Sequence, residues 1–188
     1  VEKNQNKISA LVLDMLTFSK EREPDLSPNN MNQVVGDVIE LMQSRAAELG
    51  VQLDWRPADP MPTLVFDPEG IHRAVLNVVT NALDAAGEKE QGGQVTVCTR
   101  FAPEESRVRV IVEDNGAGIP SEQIDKLFSP FASTKKGHGT GLGLPVSQKI
   151  ANEHGGRILV ETALGQGSRF TLELPATLPG GGPQTIML

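Results

Sequence analysis

A single cysteine, Cys98, stands in the 188 residues, so no internal disulfide forms, and its place in a strand-like segment makes it a small packing residue. A disulfide-stapled secreted scaffold is thereby excluded, and a reducing, cytoplasmic compartment is expected. No apolar run is long enough to cross a bilayer and no signal-peptide pattern is present. The first residues read as the middle of a helix, as in an excised piece, which leaves room for an anchor upstream. Basic residues are unclustered and outnumbered, 17 Lys and Arg against 24 Asp and Glu, for a net charge of -7. A broad nucleic-acid surface needs clustered cations to meet phosphates, so that class is excluded, and no direct membrane contact is expected. Neither Gly-x-x-x-x-Gly-Lys-Ser/Thr nor a Gly-x-Gly-x-x-Gly following a strand occurs, which removes P-loop and Rossmann readings.

What is present is a 38% share of hydrophobic residues, enough for the ordinary core of one domain with extensions. Residues 1–22 read as helix, with Ile8, Leu11, Val12, Met15 and Leu16 at three- and four-residue steps. Pro24 and Pro28 break that pattern. A second amphipathic helix is expected over residues 31–49, stopped by Gly50. Short strands follow at 51–55 and 64–66. Asp67-Pro68-Glu69-Gly70 opens a third helix. Residues 94–101 and 107–114 alternate as a hairpin across the Pro103-Glu104-Glu105 turn. A short helix is expected at 121–128, a polar loop at 129–143, a helix at 145–154 closed by Gly155-Gly156, and a last strand pair at 157–161 and 168–174. The Pro- and Gly-rich end, 176–188, carries too little apolar material to dock and is expected to be a flexible tail.

Two glycine-punctuated boxes carry the chemistry: Asp114-Asn115-Gly116-Ala117-Gly118-Ile119-Pro120, and Gly137-His138-Gly139-Thr140-Gly141-Leu142-Gly143-Leu144. The first puts a carboxylate at a strand end beside glycines that admit close backbone approach. The second leads into a helix whose first turn holds Pro145, and free N–H groups at such a start favour phosphate. On the third helix Ile71, Val75, Val78, Val79 and Ala82 form the core stripe, while Asn77, Asn81 and Asp84 form a polar stripe on its flank. Two amide oxygens one turn apart suit Mg2+, which keeps several waters and is shared with ligand phosphates. By position alone that stripe is equally a solvated helix flank. Likewise Asp114 alone reads as a turn carboxylate, or as a buried acceptor for an exocyclic amine such as adenine's.

Taken in order, Asn77-Val78-Val79-Thr80-Asn81-Ala82 resembles the N box, Asp114-Asn115-Gly116-Ala117-Gly118-Ile119 the G1 box, Phe128-Ser129-Pro130-Phe131 the F box, and Gly139-Thr140-Gly141-Leu142-Gly143-Leu144 the G2 box of bacterial sensor histidine kinases, within the GHKL ATP-binding superfamily. The resemblance spans roughly residues 1–175. It implies an α/β (α+β) two-layer sandwich, the Bergerat fold, in which a mixed sheet is backed by three main helices and preceded by a helical segment. It implies Mg-ATP held with Asn81 on the metal, Asp114 on the adenine amine, and Gly116, Gly118 and Ile119 shaping the pocket. Asn77, Asp84 and Ser168 complete the wall. Residues 128–143 would form a lid that is mobile when empty, with Thr134, Lys135, His138 and the backbone of Gly139, Thr140, Gly141, Leu142, Gly143 and Leu144 near the phosphates. Lys135 and Lys136 equally fit solvated lid charges. Ser133-Thr134-Lys135-Lys136 looks most like the nitrogen-regulatory and sporulation-kinase branches.

By the same resemblance, residues 1–23 end a dimerisation and phosphoacceptor hairpin, 24–175 form the catalytic domain, and 176–188 the tail. The phosphoacceptor histidine and its neighbouring acid are missing from these residues. His72 falls on the third helix, His138 in the lid, and His154 at a helix end, where a protonated ring suits the C-terminal dipole. The implied partners are the phosphoacceptor helical domain of the same protein, a response-regulator receiver domain, and a second copy in a homodimer; the implied activity is phosphoryl transfer from ATP to histidine. Two other readings share the fold. A free-standing GHKL ATPase resembles a pattern with glutamate where Asn77 stands, and an amide cannot accept the proton of water. A degenerate nucleotide-sensing or docking module would not need the N, G1 and G2 boxes intact.

Overall fold

The computed structural model describes residues 23–130 and 141–179. The expected hairpin helix at 1–22, the segment 131–140 that carries most of the expected lid, and residues 180–188 lie outside the described residues. Helix α1, Met31–Glu48, begins where Asn30 Oδ1 accepts the N–H groups of Asn32 (2.9 Å) and Gln33 (3.4 Å), which satisfies two of the donors a helix start leaves unpaired. Its buried face is Met31, Val34, Val35, Val38, Ile39 and Ala46. Helix α2, Pro68–Gly87, starts the same way on Asp67 Oδ1, 3.1 Å from Glu69 N and 3.2 Å from Gly70 N, with Pro68 where the missing N–H costs nothing. Ile71, Ala74, Val75, Val78, Val79, Ala82, Leu83 and Ala86 face inward, a stripe wide enough to serve the sheet and both neighbouring helices.

The main sheet contains β2 (Val51–Arg56), β4 (Gly93–Ala102), β5 (Arg107–Asp114), β6 (Arg157–Ala163) and β7 (Gly167–Pro175) in the order β2-β4-β5-β7-β6. β2 and β4 pair in parallel and every other pair is antiparallel. The parallel pair exists because β3 (Thr63–Phe66) and α2 intervene, a crossover long enough to return the chain in the same direction. Helix α4, Gly143–Glu153, packs beside α2 and buries Val146, Ile150 and Ala151. This mixed sheet backed by α1, α2 and α4 is the expected two-layer sandwich.

Several boundaries depart from expectation: α4 opens at Gly143, a residue expected in the loop and lid, because Val146 N already bonds Leu142 O, and β6 runs past 161 to Ala163 because Thr162 and Ala163 continue its pairing with β7. Residues Ser27–Asn30, expected as a break, form β1 and pair antiparallel with β3; a two-stranded edge tolerates Pro28 because its missing N–H interrupts no central ladder. The helix expected at 121–128 stops as α3, Ser121–Ile124. Tight turns carry on from there, with Lys126 N bonding Gln123 O, Leu127 N bonding Ile124 O and Ser129 N bonding Lys126 O; no residue of α3 is buried, so packing does not extend it. At the carboxyl end, Ala176 N bonds Ser106 O and Thr177 O accepts from Val65 N, so backbone pairing holds the first two residues of the expected tail.

Candidate functional site

The helix-facing side of the sheet is built in cross-strand rows, and the register sets which side chains share a row. Val97, Val112, Phe170 and Val160 make one apolar row. The next row toward the end of β5 is Val95, Asp114, Ser168 and Thr162. The same face that builds the core thus ends in three polar side chains. Asp114 and Ser168 are each only 8% exposed, and a buried carboxylate must find donors. Asp114 Oδ1 accepts the N–H of Gly116 at 2.8 Å.

The two glycines of the box are dictated by what crowds them. A Cβ on Gly116 would lie 2.6 Å from the Ala85 carbonyl oxygen of α2, and one on Gly118, at φ +71°, 2.1 Å from the Ala163 carbonyl oxygen. Gly116 therefore lets α2 reach the box, and Gly118 lets the β6–β7 turn reach it from the other side. Gly165 N–H donates to Ala117 O at 2.7 Å and Ile119 N–H to Thr162 Oγ1 at 2.9 Å. Asn115 faces back toward β4: its Oδ1 accepts from Gln94 N (2.9 Å) and its Nδ2 donates to Gly92 O (2.8 Å), so it continues the ladder beyond the strand end.

Asn77, Asn81 and Ala85 stand at i, i+4 and i+8 of α2 and share one side of the helix. At one end Asn77 Nδ2 donates to Gly143 O (3.1 Å) and meets Ser147 Oγ at 3.4 Å, where the fully buried Ser147 also bonds Gly143 O (2.9 Å). At the other end the Ala85 carbonyl touches Gly116. Eight residues at the helical rise separate these anchors by about 12 Å, with Asn81 midway. The two boxes, distant in sequence, are thus set at opposite ends of one helix face. Asp84 pairs with Arg45 of α1 at 2.6 Å, a tie between helices that fixes that edge of the stripe. Among the described residues no group of three or more His, Cys, Asp or Glu is placed to hold a metal. A cation here would draw on neutral amide oxygens and complete its shell from water and ligand, which is how Mg2+ binds beside phosphates.

The structure brings Asp114, Gly116, Gly118, Ile119 and Ser168 together at one end of α2, and Asn77 to Gly143 at the other. Leu142 is buried and Leu144 packs against the core, so these two residues of the second box anchor it while Gly141, at φ +69°, turns the chain. Thr134, Lys135, His138, Gly139 and Thr140 lie outside the described residues. Sequence reasoning overlooked Thr162 and the Ala85 carbonyl. The alternation Ile158, Val160, Thr162 along β6 was the signal for the first; no pattern reveals a carbonyl contact. His154 is a correction. Its Nε2 accepts from Asp67 N–H at 3.0 Å while Nδ1 lies 2.7 Å from Ile150 O, so the ring is the neutral Nδ1–H tautomer tying α4 to the start of α2, and not a cation capping a dipole. An open cleft of about 550 Å3, lined by Phe128, Pro145, Gln148, Lys149, Asn152 and Glu153, borders α4 and includes none of Asp114, Asn77 and Asn81.

Residues 66–178 match the family described as histidine kinase-, DNA gyrase B-, and HSP90-like ATPase. The sensor histidine kinase ZraS of Escherichia coli K12 is 32% identical over 182 residues, covering 97% of this chain and 38% of that protein. The chain therefore spans well under half the length of such relatives. Among solved structures, full-length ShkA in complex with AMPPNP is 29% identical with a TM-score of 0.82 over 94% of this chain and 37% of that one. The catalytic domain of the histidine kinase ThkA is 31% identical with a TM-score of 0.71, covering 81% of this chain and 99% of the other; ThkA has also been solved with the response regulator TrrA, at 28% identity and a TM-score of 0.76 over 94% of this chain and 49% of that one. The mixed sheet backed by three main helices agrees with these likenesses, and the chain belongs to the histidine kinase-, DNA gyrase B-, and HSP90-like ATPase family, of which it carries a histidine kinase catalytic domain.

Proposed function

We propose that this domain binds Mg-ATP along the Asn77–Asn81–Ala85 face of α2 and serves, in the whole protein, to transfer the γ-phosphoryl group to a histidine on a separate helical domain. The observation that carries the reading is the polar row at the end of an apolar sheet face, where buried Asp114 stands beside Ser168 with its Oδ1 held by Gly116 N–H. A fixed carboxylate accepts from the amino group of adenine and repels the carbonyl oxygen of guanine. Gly116, Gly118 and Ile119 shape the base end. Asn81 supplies the protein oxygen to Mg2+, Asn77 holds the start of α4, and Asp84, paired with Arg45, closes the helix flank. Gly139 to Leu144, with Thr134, Lys135 and His138, serve the phosphate end, where the N–H groups opening α4 add positive potential.

The metal supplies charge neutralisation between phosphates; positioning and electrostatics are the rest of what phosphoryl transfer asks of a protein. Asn77, an amide where a hydrolase needs a base, favours transfer to a presented nucleophile over hydrolysis. The acceptor histidine belongs to the helical domain of the same protein, which dimerises, and a response-regulator receiver domain takes the phosphoryl group onward; the complex of ThkA with TrrA supports that partner class. Calorimetry with ATP and GTP tests the assignment. ATP binds more tightly, and Asp114→Ala weakens ATP binding more than tenfold, the loss of a charge-assisted hydrogen bond of about 1.5–3 kcal/mol. Equal affinities for the two nucleotides overturn the adenine role of Asp114.

A further inference from the structure

Thr162 lies on β6, outside both glycine boxes, yet it is the third polar member of the row that holds Asp114 and Ser168. Its Oγ1 is 2.9 Å from Ile119 N, 3.0 Å from Gly167 O and 3.0 Å from Ser168 Oγ. A hydroxyl has one proton and two lone pairs. Ile119 N–H and Gly167 O have fixed roles as donor and acceptor. Thr162 therefore accepts from Ile119 and gives its proton to Gly167 O, and its second lone pair takes the hydroxyl proton of Ser168. Ser168 is then left with its lone pairs for other donors, on the strand position directly opposite Asp114. One side chain thus fixes the backbone after the first box and the proton direction of the hydroxyl next to the carboxylate.

We infer that Thr162 is a positioning residue for nucleotide binding: by holding Ile119 N–H and turning the Ser168 proton away from Asp114, it keeps Ser168 an acceptor beside a carboxylate acceptor, and so sets the base end of the site to favour a ligand that offers donors. The inference rests on the adenine reading of Asp114. Gly165 N–H to Ala117 O and the close pass of Gly118 under Ala163 hold the same turn by backbone alone, so loss of the hydroxyl changes geometry and proton direction without undoing the fold.

The test compares Thr162→Val, which keeps shape and removes the hydroxyl, with Thr162→Ser, which keeps the hydroxyl, in the full chain. Three measurements are made on each: calorimetric affinity for Mg-ATP and Mg-GTP, amide hydrogen exchange at Ile119 in the empty protein, and thermal midpoint. Thr162→Val is expected to bind ATP about five- to tenfold more weakly, to lose part of the ATP over GTP preference, and to exchange Ile119 at least tenfold faster, while Thr162→Ser stays within about twofold of the parent. A purely structural role would lower the thermal midpoint without moving the ATP to GTP ratio, and that outcome overturns the inference. So does a serine variant as weak as the valine one. Parent protein that binds no Mg-ATP overturns the nucleotide reading and the positioning role with it, and the Ile119 exchange rates then show whether the clasp exists independently of that failure.

Discussion

Several polar side chains around the boxes are already committed to partners in the fold, and that limits what each is free to do. Asn77 spends its amide N–H groups on Gly143 O and Ser147 Oγ, so its first duty is to fasten α4 to α2. Asn81, one turn further along and midway between the two boxes, is the residue proposed above to give its amide oxygen to Mg2+. Asn81→Ala is expected to remove most of the Mg2+-dependent gain in ATP affinity and to leave ADP binding measured in chelator unchanged. Titrations of parent and variant with and without Mg2+ check this; an unchanged metal dependence in Asn81→Ala returns that residue to the solvated helix flank. The residue types were legible in the sequence. Their division of labour was not, because it depends on Gly143 lying against Asn77 across 66 positions of chain.

The strands carry chemistry on one face and an ionic ladder on the other. On the face away from the helices, Glu173 of β7 is 3% exposed and sits between Arg109 of β5 at 2.7 Å and Arg157 of β6 at 2.9 Å, and Glu105 joins Arg109 from the turn. The hydrogen bond from Arg109, aided by Arg157, holds the Glu173 carboxyl below the ordinary glutamate value of 4.5 despite burial, which pushes the other way. A carboxylate lowered in the folded state stabilises the fold above its unfolded value and loses that contribution as pH falls through the folded one. Glu173→Gln is therefore expected to cost about 1–3 kcal/mol at pH 7, with Arg157, the more exposed partner, contributing the smaller part. The gap between parent and variant should narrow steadily below pH 4.5. Urea unfolding of both proteins at about pH 7, 5, 4 and 3 measures it, and a gap independent of pH refutes the ladder's ionic character. β-strand alternation placed Glu173 on the outer face, but only the β5-β7-β6 order put two arginines beside it.

On the function proposed above, the phosphoryl acceptor stands on the separate helical domain and not among the histidines of this chain. Effective phosphoryl transfer needs an in-line nucleophile held at the γ-phosphate. His154 is bonded at both ring nitrogens between Asp67 and Ile150, and His72 belongs to α2, at the far end from Asn81. By itself the chain is expected to bind ATP, to turn it over at background rates, and to acquire no acid-labile label from radiolabelled ATP. Supplying a helical hairpin that carries the acceptor histidine should restore labelling of that hairpin weakly, since the covalent link that raises effective concentration is absent. Label mapped to His72, His138 or His154 contradicts this division.

Periodicity and punctuation determined a great deal by themselves. The α2 core stripe, its start at Asp67, the β4–β5 hairpin and the order of the glycine boxes follow from local physics, in which side-chain spacing and backbone freedom depend only on neighbours in the chain. The strand at Ser27–Asn30, with its proline, and the early end of α3 were decided by whether a pairing edge or a packing surface was present. The site was decided at the same level. Asp114, Ser168 and Thr162 share one row because β6 and β7 return alongside β5 in one register; a slip of β7 and β6 by a single residue would send Ser168 and Thr162 to the face away from Asp114.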